Sequence, residues 1–500
     1  MTDLTKLSIR ETVFGFKAKK FSSTEVTKAY IAEIEKKRDL NAFITETFDL
    51  ALAQAKKSDE KISAGCGGDL EGIPLGIKDL FCTKNVRTTC ASKMLADFIP
   101  TYESAVTQKL FDAGAVMLGK TNMDEFAMGS TNTNSYFGPV INPYKKNNSN
   151  EDLVPGGSSG GSAVAVAANL CAGATGSDTG GSIRQPASFT NIVGVKPTYG
   201  RASRYGMVAF SSSLDHPGIF GRDVYDAALL QRVISGFDDR DSTSANVLVP
   251  QFEKLLNSDI KGKKIGIPKE YHVDGMPDEI TQIWSLGKEA LKQCGAELVE
   301  ISLPNTSYAV PTYYVIASAE CSSNLARYDG VRYGLRISKG ENGESLSLNE
   351  MYEKTRAVGF GDEVKRRILI GTYVLSAGYF DAYYKKAQKV RNLVFQDFAE
   401  AFKKVDAILT PATPNAAFPI DSSKAMGSSD PVKIYLNDIF TIPANLAGVP
   451  AISVPAGFDN EGLPIGLQII TKHFDEQTMF DVALAIEGRL KPRSVIRTHP

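Results

Sequence analysis

Short apolar runs alternate with helical stretches between residues 70 and 235. This alternation is typical of an α/β fold, in which strands and helices follow one another along the chain. The predicted strands of this part lie at 72–78, 115–118 and 172–176, and its predicted helices lie at 105–113 and 162–170. Residues 1–65 are predicted to form N-terminal helices, one of them capped by Ser22 or Ser23 with Glu25 in a capping box.

The second half of the chain continues the pattern after a polar run at 237–246, which we expect to be a surface connection. A strand–helix–strand unit is predicted next, at 264–268, 278–293 and 296–303. Residues 311–403 are predicted to be mostly helical, with an interruption at 339–345. The last predicted elements are strands at 407–409, 451–454 and 467–470 and a helix at 476–490.

Charge and cysteine content narrow the class of protein. The 56 basic and 57 acidic residues give a formal net charge of −1, so no overall positive field holds nucleic acid or an anionic membrane. No stretch reaches the roughly 18 apolar residues of a membrane-spanning helix, and the N-terminus lacks the pattern of a secretory signal. We therefore expect a cytoplasmic protein whose six cysteines, none in a C-x-x-C pair, are free thiols.

Histidine is scarce, with only His216, His272, His473 and His499 in 500 residues. This argues against a histidine-rich metal site, and we predict neither a metal nor a cofactor in this chain. If the chain is a hydrolase, its general base is expected to be a residue other than histidine.

Residues 114–121 match the phosphate-binding pattern G-x-x-x-x-G-K-[ST] letter for letter. In a phosphate-binding loop, a flexible glycine-rich segment follows a strand and exposes its backbone N–H groups. Here the four central residues are apolar and are themselves predicted to be the strand. Nucleotide binding through Lys120 is therefore a weaker alternative.

Residues 156–161 match G-x-S-x-G twice, centred on Ser158 and on Ser159. A nucleophile elbow of this type has to follow a buried strand. The segment before it, 145–152, is polar and is expected to be a loop, so we reject the elbow interpretation.

Two glycine- and serine-rich loops, GGSSGGS at 156–162 and GSDTGGSIR at 176–184, bracket a buried helix and a short strand. Glycines allow close approach of the backbone to a substrate, and consecutive N–H groups at a helix start bind anions. Thr179, Gly180 and Gly181 could supply an oxyanion hole, with the hydroxyl of Ser182 reaching the same atom as the helix opens. The alternative is a flexible linker.

Lys78 ends the predicted apolar strand at 72–78, where a solvated lysine is not the first expectation. To act as a base near neutral pH, its pKa has to fall by about two to three units from about 10.4, which burial can achieve. The alternative is an ordinary surface lysine at the end of a strand.

Three segments in this order, GIPLGIKD, PGGSSGGSA and GSDTGGSIRQPA, resemble the amidase signature family of Ser-Ser-Lys amide hydrolases. The resemblance covers nearly the whole chain. It implies one large α/β/α domain around a mixed sheet over 1–500, with helices at 1–65, a catalytic core at about 70–235, and a remainder at 236–500 that completes the sheet and the pocket. It also implies that Ser182 is the acylated nucleophile, Ser158 a bridging serine, and Lys78 the final proton acceptor.

Within the family, the chain is most similar to the glutamine-hydrolysing components of tRNA-dependent amidotransferases, through segments such as KTNMDEFAMGS at 120–130 and NDIFTIPANLAGVP at 437–450. The resemblance implies a glutamine pocket in which Arg367 binds the carboxylate, Asp438 binds the ammonium group, and Tyr313, Gly129 and Ser130 line the walls. The structural alternatives are a solvated helix face that carries Arg366 and Arg367, and a helix cap formed by Asp438.

The same resemblance implies a heterotrimer with B and C subunits, in which the B subunit binds tRNA, uses ATP and Mg²⁺, and receives the ammonia. The acceptor would be Glu-tRNA(Gln), Asp-tRNA(Asn) or both. A stand-alone amidase of the same family acting on small amides is the main alternative function.

Overall fold

One mixed β-sheet of eleven strands runs through the molecule, whose computed structural model describes residues 3–421 and 434–490. The strands in chain order are β1 (Phe43–Glu46), β2 (Pro74–Lys78), β3 (Val116–Thr121), β4 (Gly173–Asp178), β5 (Val193–Lys196), β6 (His216–Gly221), β7 (Lys264–Pro268), β8 (Glu297–Ile301), β9 (Ala407–Pro411), β10 (Ala451–Phe458) and β11 (Pro464–Thr471). Their order across the sheet is β1-β3-β2-β4-β6-β5-β10-β11-β9-β7-β8.

Helices cover this sheet. They are α1 (Ile9–Lys17), α2 (Ser23–Lys36), α3 (Phe48–Ser63), α4 (Ala105–Asp112), α5 (Gly160–Ala167), α6 (Arg184–Phe189), α7 (Val224–Ile234), α8 (Phe252–Leu255), α9 (Asp278–Gln293), α10 (Ala309–Asn324), α11 (Leu348–Gly359), α12 (Asp362–Leu375), α13 (Lys386–Ala401), α14 (Ile442–Ala447) and α15 (Glu476–Leu490). Every residue of β2, β3 and β4 is buried, as expected of strands covered on both faces. Of the described helices, none combines the length and apolarity needed to cross a membrane.

The α/β fold class predicted from the sequence is confirmed, and many elements lie where the pattern placed them. Helices α9 and α15 have the predicted bounds, and β7, α9 and β8 form the expected unit with its two strands parallel and paired. Ser22 caps α2, and Glu25 completes the capping box. Most other predicted strands are found within a few residues of the expected bounds.

Several expectations need correction. The 1–65 region is not purely helical, because its strand β1 pairs antiparallel with β3 at the sheet edge. The polar run at 237–246 connects α7 to α8 but is not wholly exposed, since Asp238, Asp241 and Ser244 are buried. The interruption of the helical stretch is longer than 339–345, because α10 ends at Asn324 and α11 begins only at Leu348.

The arrangement of β2 and β4 brings the two predicted catalytic segments together. These strands are parallel neighbours, so Lys78 at the end of β2 and Asp178 at the end of β4 lie at the same end of the sheet, where both strands have their carboxyl ends. The chain runs from α5 back into β4, so the N-terminus of α5 and the preceding segment 156–159 lie at this end of the sheet too. The carboxyl ends of parallel strands are where α/β proteins commonly hold their sites.

Candidate active site

Lys78 is completely buried and is surrounded by three serine hydroxyls. Its Nζ lies 2.9 Å from Ser158 Oγ, 2.7 Å from Ser159 Oγ and 2.8 Å from Ser177 Oγ. Its own backbone N–H donates to Thr175 Oγ1 of the neighbouring β4 at 2.8 Å, which fixes the end of β2. Lys78 is therefore held within the fold, and the surface-lysine alternative is wrong.

Burial lowers the pKa of Lys78 from 10.5 to about 7, even though the carboxylates of Asp124, Asp178 and Asp215 act in the opposite direction. Desolvation penalises the ammonium form more than these charges favour it. A large share of Lys78 is consequently a neutral amine near neutral pH. A neutral amine can accept a proton, which an ordinary lysine cannot do at this pH.

The hydroxyls of Ser158 and Ser159 differ in the partners they have. Ser159 donates its proton to the carbonyl of Ser177 at 3.2 Å and accepts from the Ser177 N–H at 3.3 Å. Among the described residues, Ser158 Oγ has only Lys78 as a hydrogen-bond partner. Ser158 can therefore pass a proton to Lys78, whereas the proton of Ser159 is already committed.

Ser182 lies on the second glycine-rich loop, with only 7% of its surface exposed. Its carbonyl accepts the N–H of Ser159 at 3.2 Å, which joins the two loops. The helix does not open at Ser182 as predicted, because α6 begins two residues later at Arg184. Within the described part of the chain, the N–H groups of residues 179–182 donate to no protein acceptor, so four consecutive amides keep their hydrogen-bonding capacity beside the serine.

An ion pair between Asp178 and Arg184 holds the second loop in place. The guanidinium Nε and Nη2 of Arg184 donate to Asp178 at 3.0 and 2.8 Å, and the N–H of Ile183 also donates to this carboxylate. Burial by itself raises the pKa of Asp178, but the adjacent guanidinium outweighs it and holds the pKa well below its usual range. Asp178 is therefore held as an anion, and its ion pair with Arg184 joins the two ends of the segment between them.

Two further buried aspartates contact the loops, Asp215 through its carboxylate and Asp124 through its backbone N–H. Asp215 accepts the hydroxyl of Thr179 at 2.8 Å, and Asp124 donates its N–H to the carbonyl of Ser158 at 3.1 Å. Burial raises the pKa of each of these two carboxyls to about 6. A Cβ on Gly157 would lie 2.1 Å from Asp124 Oδ2, so the first loop approaches this carboxyl more closely than any side chain allows.

The residues expected to bind substrate lie next to the second loop. A Cβ on Gly181 would be 2.7 Å from Asp438 Oδ1, and one on Gly180 would be 2.9 Å from the ring of Tyr313. Burial raises the pKa of the Tyr313 phenol, which is close enough to Arg367 and Asp438 to be affected by both charges. The structure thus brings these three side chains together beside Ser182.

Arg367 is buried, so a solvated helix face is the wrong description for this residue. Its Nε donates to Glu363 at 2.7 Å, and its guanidinium carbon lies 5.0 Å from the ring centre of Tyr314 and 5.5 Å from that of Tyr435. Asp438 is also buried, and its Oδ1 has no hydrogen-bond partner in the parts of the chain that are described. Burial raises the pKa of Asp438, and the nearby Asp178 carboxylate raises it further.

Gly129 and Ser130 lie next to Asp124 and Gln185. A Cβ on Gly129 would be 2.4 Å from the carboxyl carbon of Asp124, and the carbonyl of Ser130 accepts the amide of Gln185 at 3.0 Å. Asp124 and Gln185 in turn bond to the first loop, through the carbonyl of Ser158 and the N–H of Gly157, so Gly129 and Ser130 are connected to that loop through these two side residues.

Sequence reasoning missed several residues of this site. Ser159, Ser177, Asp178 and Arg184 stand inside the two quoted loop motifs, so their position in the motif was an available signal. Thr441, whose hydroxyl donates to the carbonyl of Gly180 at 2.7 Å, stands in the quoted segment at 437–450 and had the same kind of signal. Asp215 lies outside every quoted segment and carried no such signal.

The phosphate-loop pattern at 114–121 does not form a loop. Its last residues belong to the buried strand β3, and Lys120 Nζ donates to the carbonyl of Phe81 and the hydroxyl of Thr88, both at 2.7 Å. The ammonium also lies 3.6 Å from Asp79. Lys120 has its protein partners inside the fold, so the structure contradicts nucleotide binding through this segment.

In the described ranges, no cluster of His, Cys, Asp or Glu side chains is arranged to hold a metal ion.

Comparison with known proteins identifies the family of the chain. The family model described as "Amidase" matches residues 25–480, which is most of the chain. The chain belongs to the amidase family. Lys78, Ser158 and Ser182, to which the resemblance assigns the catalytic roles, are all buried.

Curated relatives match over nearly their full length. Two are named as the A subunit of glutamyl-tRNA(Gln) amidotransferase: one from Parvibaculum lavamentivorans is 59% identical and covers 97% of each chain, and one from Pelagibacter ubique is 60% identical and covers 99% of each. Among solved structures, the protein of the same name from Thermotoga maritima has a TM-score of 0.78 at 39% identity, covering 98% of this chain and 96% of its own. A peptide amidase from Stenotrophomonas maltophilia has a TM-score of 0.81 at 30% identity, covering 99% of both.

Proposed function

We propose that this chain is the glutamine-hydrolysing subunit of a tRNA-dependent amidotransferase. The observation that carries the chemistry is the contact between the buried amine of Lys78, with a pKa of about 7, and the hydroxyl of Ser158 at 2.9 Å. This pair supplies a general base that is not a histidine, and it lies at the same end of the sheet as Ser182. The curated relatives at 59–60% identity support glutamine as the amide donor.

The reaction is an acyl transfer in two steps. Neutral Lys78 takes the proton of Ser158, Ser158 takes the proton of Ser182, and Ser182 Oγ bonds to the side-chain amide carbon of glutamine. The amides of residues 179–182 stabilise the oxyanion. The proton returns to the amide nitrogen, the C–N bond breaks to release ammonia, and water then cleaves the γ-glutamyl ester to give glutamate and free Ser182.

Glutamine carries a carboxylate and an ammonium group beyond its reacting amide. Arg367 supplies a buried cation for the carboxylate. Asp438 Oδ1, without a partner among the described residues, supplies an acceptor for the ammonium group. A buried oxygen without a partner is costly, and a substrate ammonium would both satisfy it and stabilise the ionised form of Asp438. Tyr313, Gly129 and Ser130 complete the pocket.

The ammonia is delivered to partner B and C subunits, with which the chain forms a heterotrimer. The relatives are named as one subunit of an amidotransferase, which supports the existence of such partners. The B subunit binds the tRNA and holds ATP and Mg²⁺, and it amidates Glu-tRNA(Gln) or Asp-tRNA(Asn). A formal net charge of −1 fits a chain that does not itself hold tRNA.

The deciding experiment measures ammonia release from glutamine by the chain co-expressed with candidate B and C subunits. Ser182→Ala and a panel of simple amides are assayed beside it. Glutamine-selective release that disappears in Ser182→Ala is the expected result. Release from simple amides without partners, with glutamine ignored, would instead establish the stand-alone amidase.

A further inference from the structure

Glu125 is a buried carboxylate that connects the segment beside Ser158 to the helix that carries Arg367. Its Oε2 accepts the backbone N–H of Gly361 at 2.8 Å, and its Oε1 accepts the hydroxyl of Ser92. Gly361 is the residue immediately before α12, and Arg367 lies on this helix. Glu125 therefore contacts the start of the helix on which the proposed carboxylate-binding arginine is placed.

Asp124, the residue before Glu125, joins this segment to the first glycine-rich loop. The N–H of Asp124 donates to the carbonyl of Ser158 at 3.1 Å, so Glu125 follows directly after a contact with the first catalytic loop. Phe126 and Ala127 then have φ values of +48° and +62°, a left-handed conformation that is rare for residues other than glycine. Such strain persists only where the surrounding structure holds it, and it is concentrated at functional sites.

The helix side of the connection requires close approach. A Cβ at position 361 would lie 2.5 Å from Glu125 Oε2, so the absence of a side chain at Gly361 lets the carboxylate reach the N–H. A carboxylate at a helix N-terminus is stabilised by the partial positive charge there. The ring of Phe126 also contacts that of Phe360, with ring centres 5.8 Å apart, so two successive residues hold the start of α12.

The first turn of α12 determines where the guanidinium of Arg367 lies. Glu363 in that turn accepts Arg367 Nε at 2.7 Å and the hydroxyl of Tyr435 at 3.0 Å. A shift of the helix start would move Glu363 and, with it, the guanidinium. The segment at Asp124 and Glu125 thus contacts both the catalytic loop and the helix that holds Arg367.

We propose that Glu125 is a positioning residue for glutamine recognition, which fixes the start of α12 and thereby the distance between Arg367 and the nucleophile Ser182. This inference rests on the proposed function, because the group that Arg367 binds is the carboxylate of glutamine. In this proposal Glu125 acts through its bond to the N–H of Gly361 and not by binding the substrate. Its loss is expected to weaken binding of glutamine while leaving the acyl-transfer step at Ser182 intact.

The test compares Glu125→Gln with the wild-type chain, each co-expressed with the B and C subunits, at pH 8. This pH is chosen because burial raises the pKa of Glu125 to about 7, so the carboxylate is mainly ionised there. Gln keeps the shape and an acceptor oxygen but removes the charge at the helix N-terminus. We expect the KM for glutamine to rise about fivefold or more, with kcat within about twofold of wild type.

Two further variants make the test specific. Glu253→Gln removes another buried glutamate, whose partner is Arg232 on α7 at 2.9 Å, and it is expected to leave KM unchanged. Ser92→Ala removes the donor to the other oxygen of Glu125 and is expected to raise KM in the same direction by a smaller factor. It also serves as the second variant if Glu125→Gln does not fold.

The possible outcomes separate this inference from the proposed function. A wild-type complex that releases no ammonia from glutamine would overturn the proposed function. An active wild type with an unchanged KM in both Glu125→Gln and Ser92→Ala would overturn the positioning role alone. A fall in kcat without a rise in KM would also overturn it, since that pattern indicates a disturbed catalytic loop and not a displaced Arg367.

Discussion

Lys78 Nζ lies 2.9 Å from Ser158 Oγ, and neither side chain is exposed to solvent. A lysine in this position can act as a base only in its neutral form. Burial supplies that form by lowering the pKa of Lys78 to about 7. The same desolvation that costs stability therefore provides the chemistry, and both consequences can be measured.

The first prediction concerns the pH dependence of activity. Below pH 7 Lys78 is mainly an ammonium ion and cannot accept a proton, and above pH 7 it is mainly neutral. We expect kcat/KM for glutamine to rise with pH and to level off about one unit above the pKa of the free enzyme. A profile that is flat between pH 6 and pH 8 would contradict Lys78 as the base.

The second prediction concerns stability. Between about pH 7 and pH 10 the unfolded chain keeps the proton on Lys78 while the folded chain has lost it. Because the unfolded state binds more protons in this window, raising the pH favours the folded state by up to about 1.4 kcal/mol per pH unit. Between pH 7 and pH 9, the free energy of unfolding of wild type should rise by about 2 kcal/mol more than that of Lys78→Met.

Denaturant unfolding at pH 7, 8 and 9 measures this difference. The comparison with Lys78→Met cancels the titration of all other groups that the substitution leaves unchanged. Parallel stability curves for the two proteins would show that the folded state does not depress the pKa of Lys78.

The sequence identified the parts of the site that lie within short motifs. Ser158 and Ser182 stand in glycine-rich loops and Lys78 ends an apolar strand, which made all three candidates, and the resemblance to the amidase signature family then implied their roles. Asp215 differs, because its contact with Thr179 joins positions 36 residues apart and the local sequence SSSLDHPG is typical of an ordinary turn. Such a contact depends on the packing of β6 beside β4, which no local pattern predicts.

The strands that the pattern missed show the same limit. Strand β6 begins His216-Pro217-Gly218, residues with little preference for strands, and it forms because it is buried between β4 and β5. Strand β5 is only four residues long, too short for a clear alternation. In both elements, tertiary packing outweighs the local preference of the residues.

The third prediction concerns substrate selection and uses two adjacent arginines. Arg367 and Arg366 both contact Glu363, but Arg367 is buried while the Arg366 side chain is 39% exposed. Lysine cannot reproduce the planar, paired hydrogen bonds of a guanidinium to a carboxylate. We expect Arg367→Lys to raise the KM for glutamine by about 10- to 100-fold, and Arg366→Lys to change it by less than about twofold.

Steady-state ammonia release over a range of glutamine concentrations measures both variants. Equal effects of the two substitutions would show that they act through Glu363 and the helix, and would contradict a direct role of Arg367 in binding the carboxylate.

The fourth prediction concerns the base of the second catalytic loop. Arg184 is completely buried, and besides Asp178 its Nη1 donates to the carbonyl of Thr441 at 2.9 Å and to Gln468 Oε1 at 2.6 Å. Arg184→Gln would leave the Asp178 carboxylate buried without its counter-charge. Breaking one side of a buried ion pair costs about 3–5 kcal/mol, so we expect a loss of that size in the free energy of unfolding.

The exposed pair of Lys403 and Glu400 provides the matched control, because both side chains are about two-thirds exposed and lie 2.5 Å apart. Lys403→Gln is expected to cost less than about 1 kcal/mol, as is usual for ion pairs in water. Arg184→Gln should also show a stability that recovers in part as the pH falls, because protonation of Asp178 removes the unpaired charge. A loss no larger than that of Lys403→Gln would mean that the Asp178 carboxylate finds another counter-charge, and that the loop carrying Ser182 does not depend on this pair.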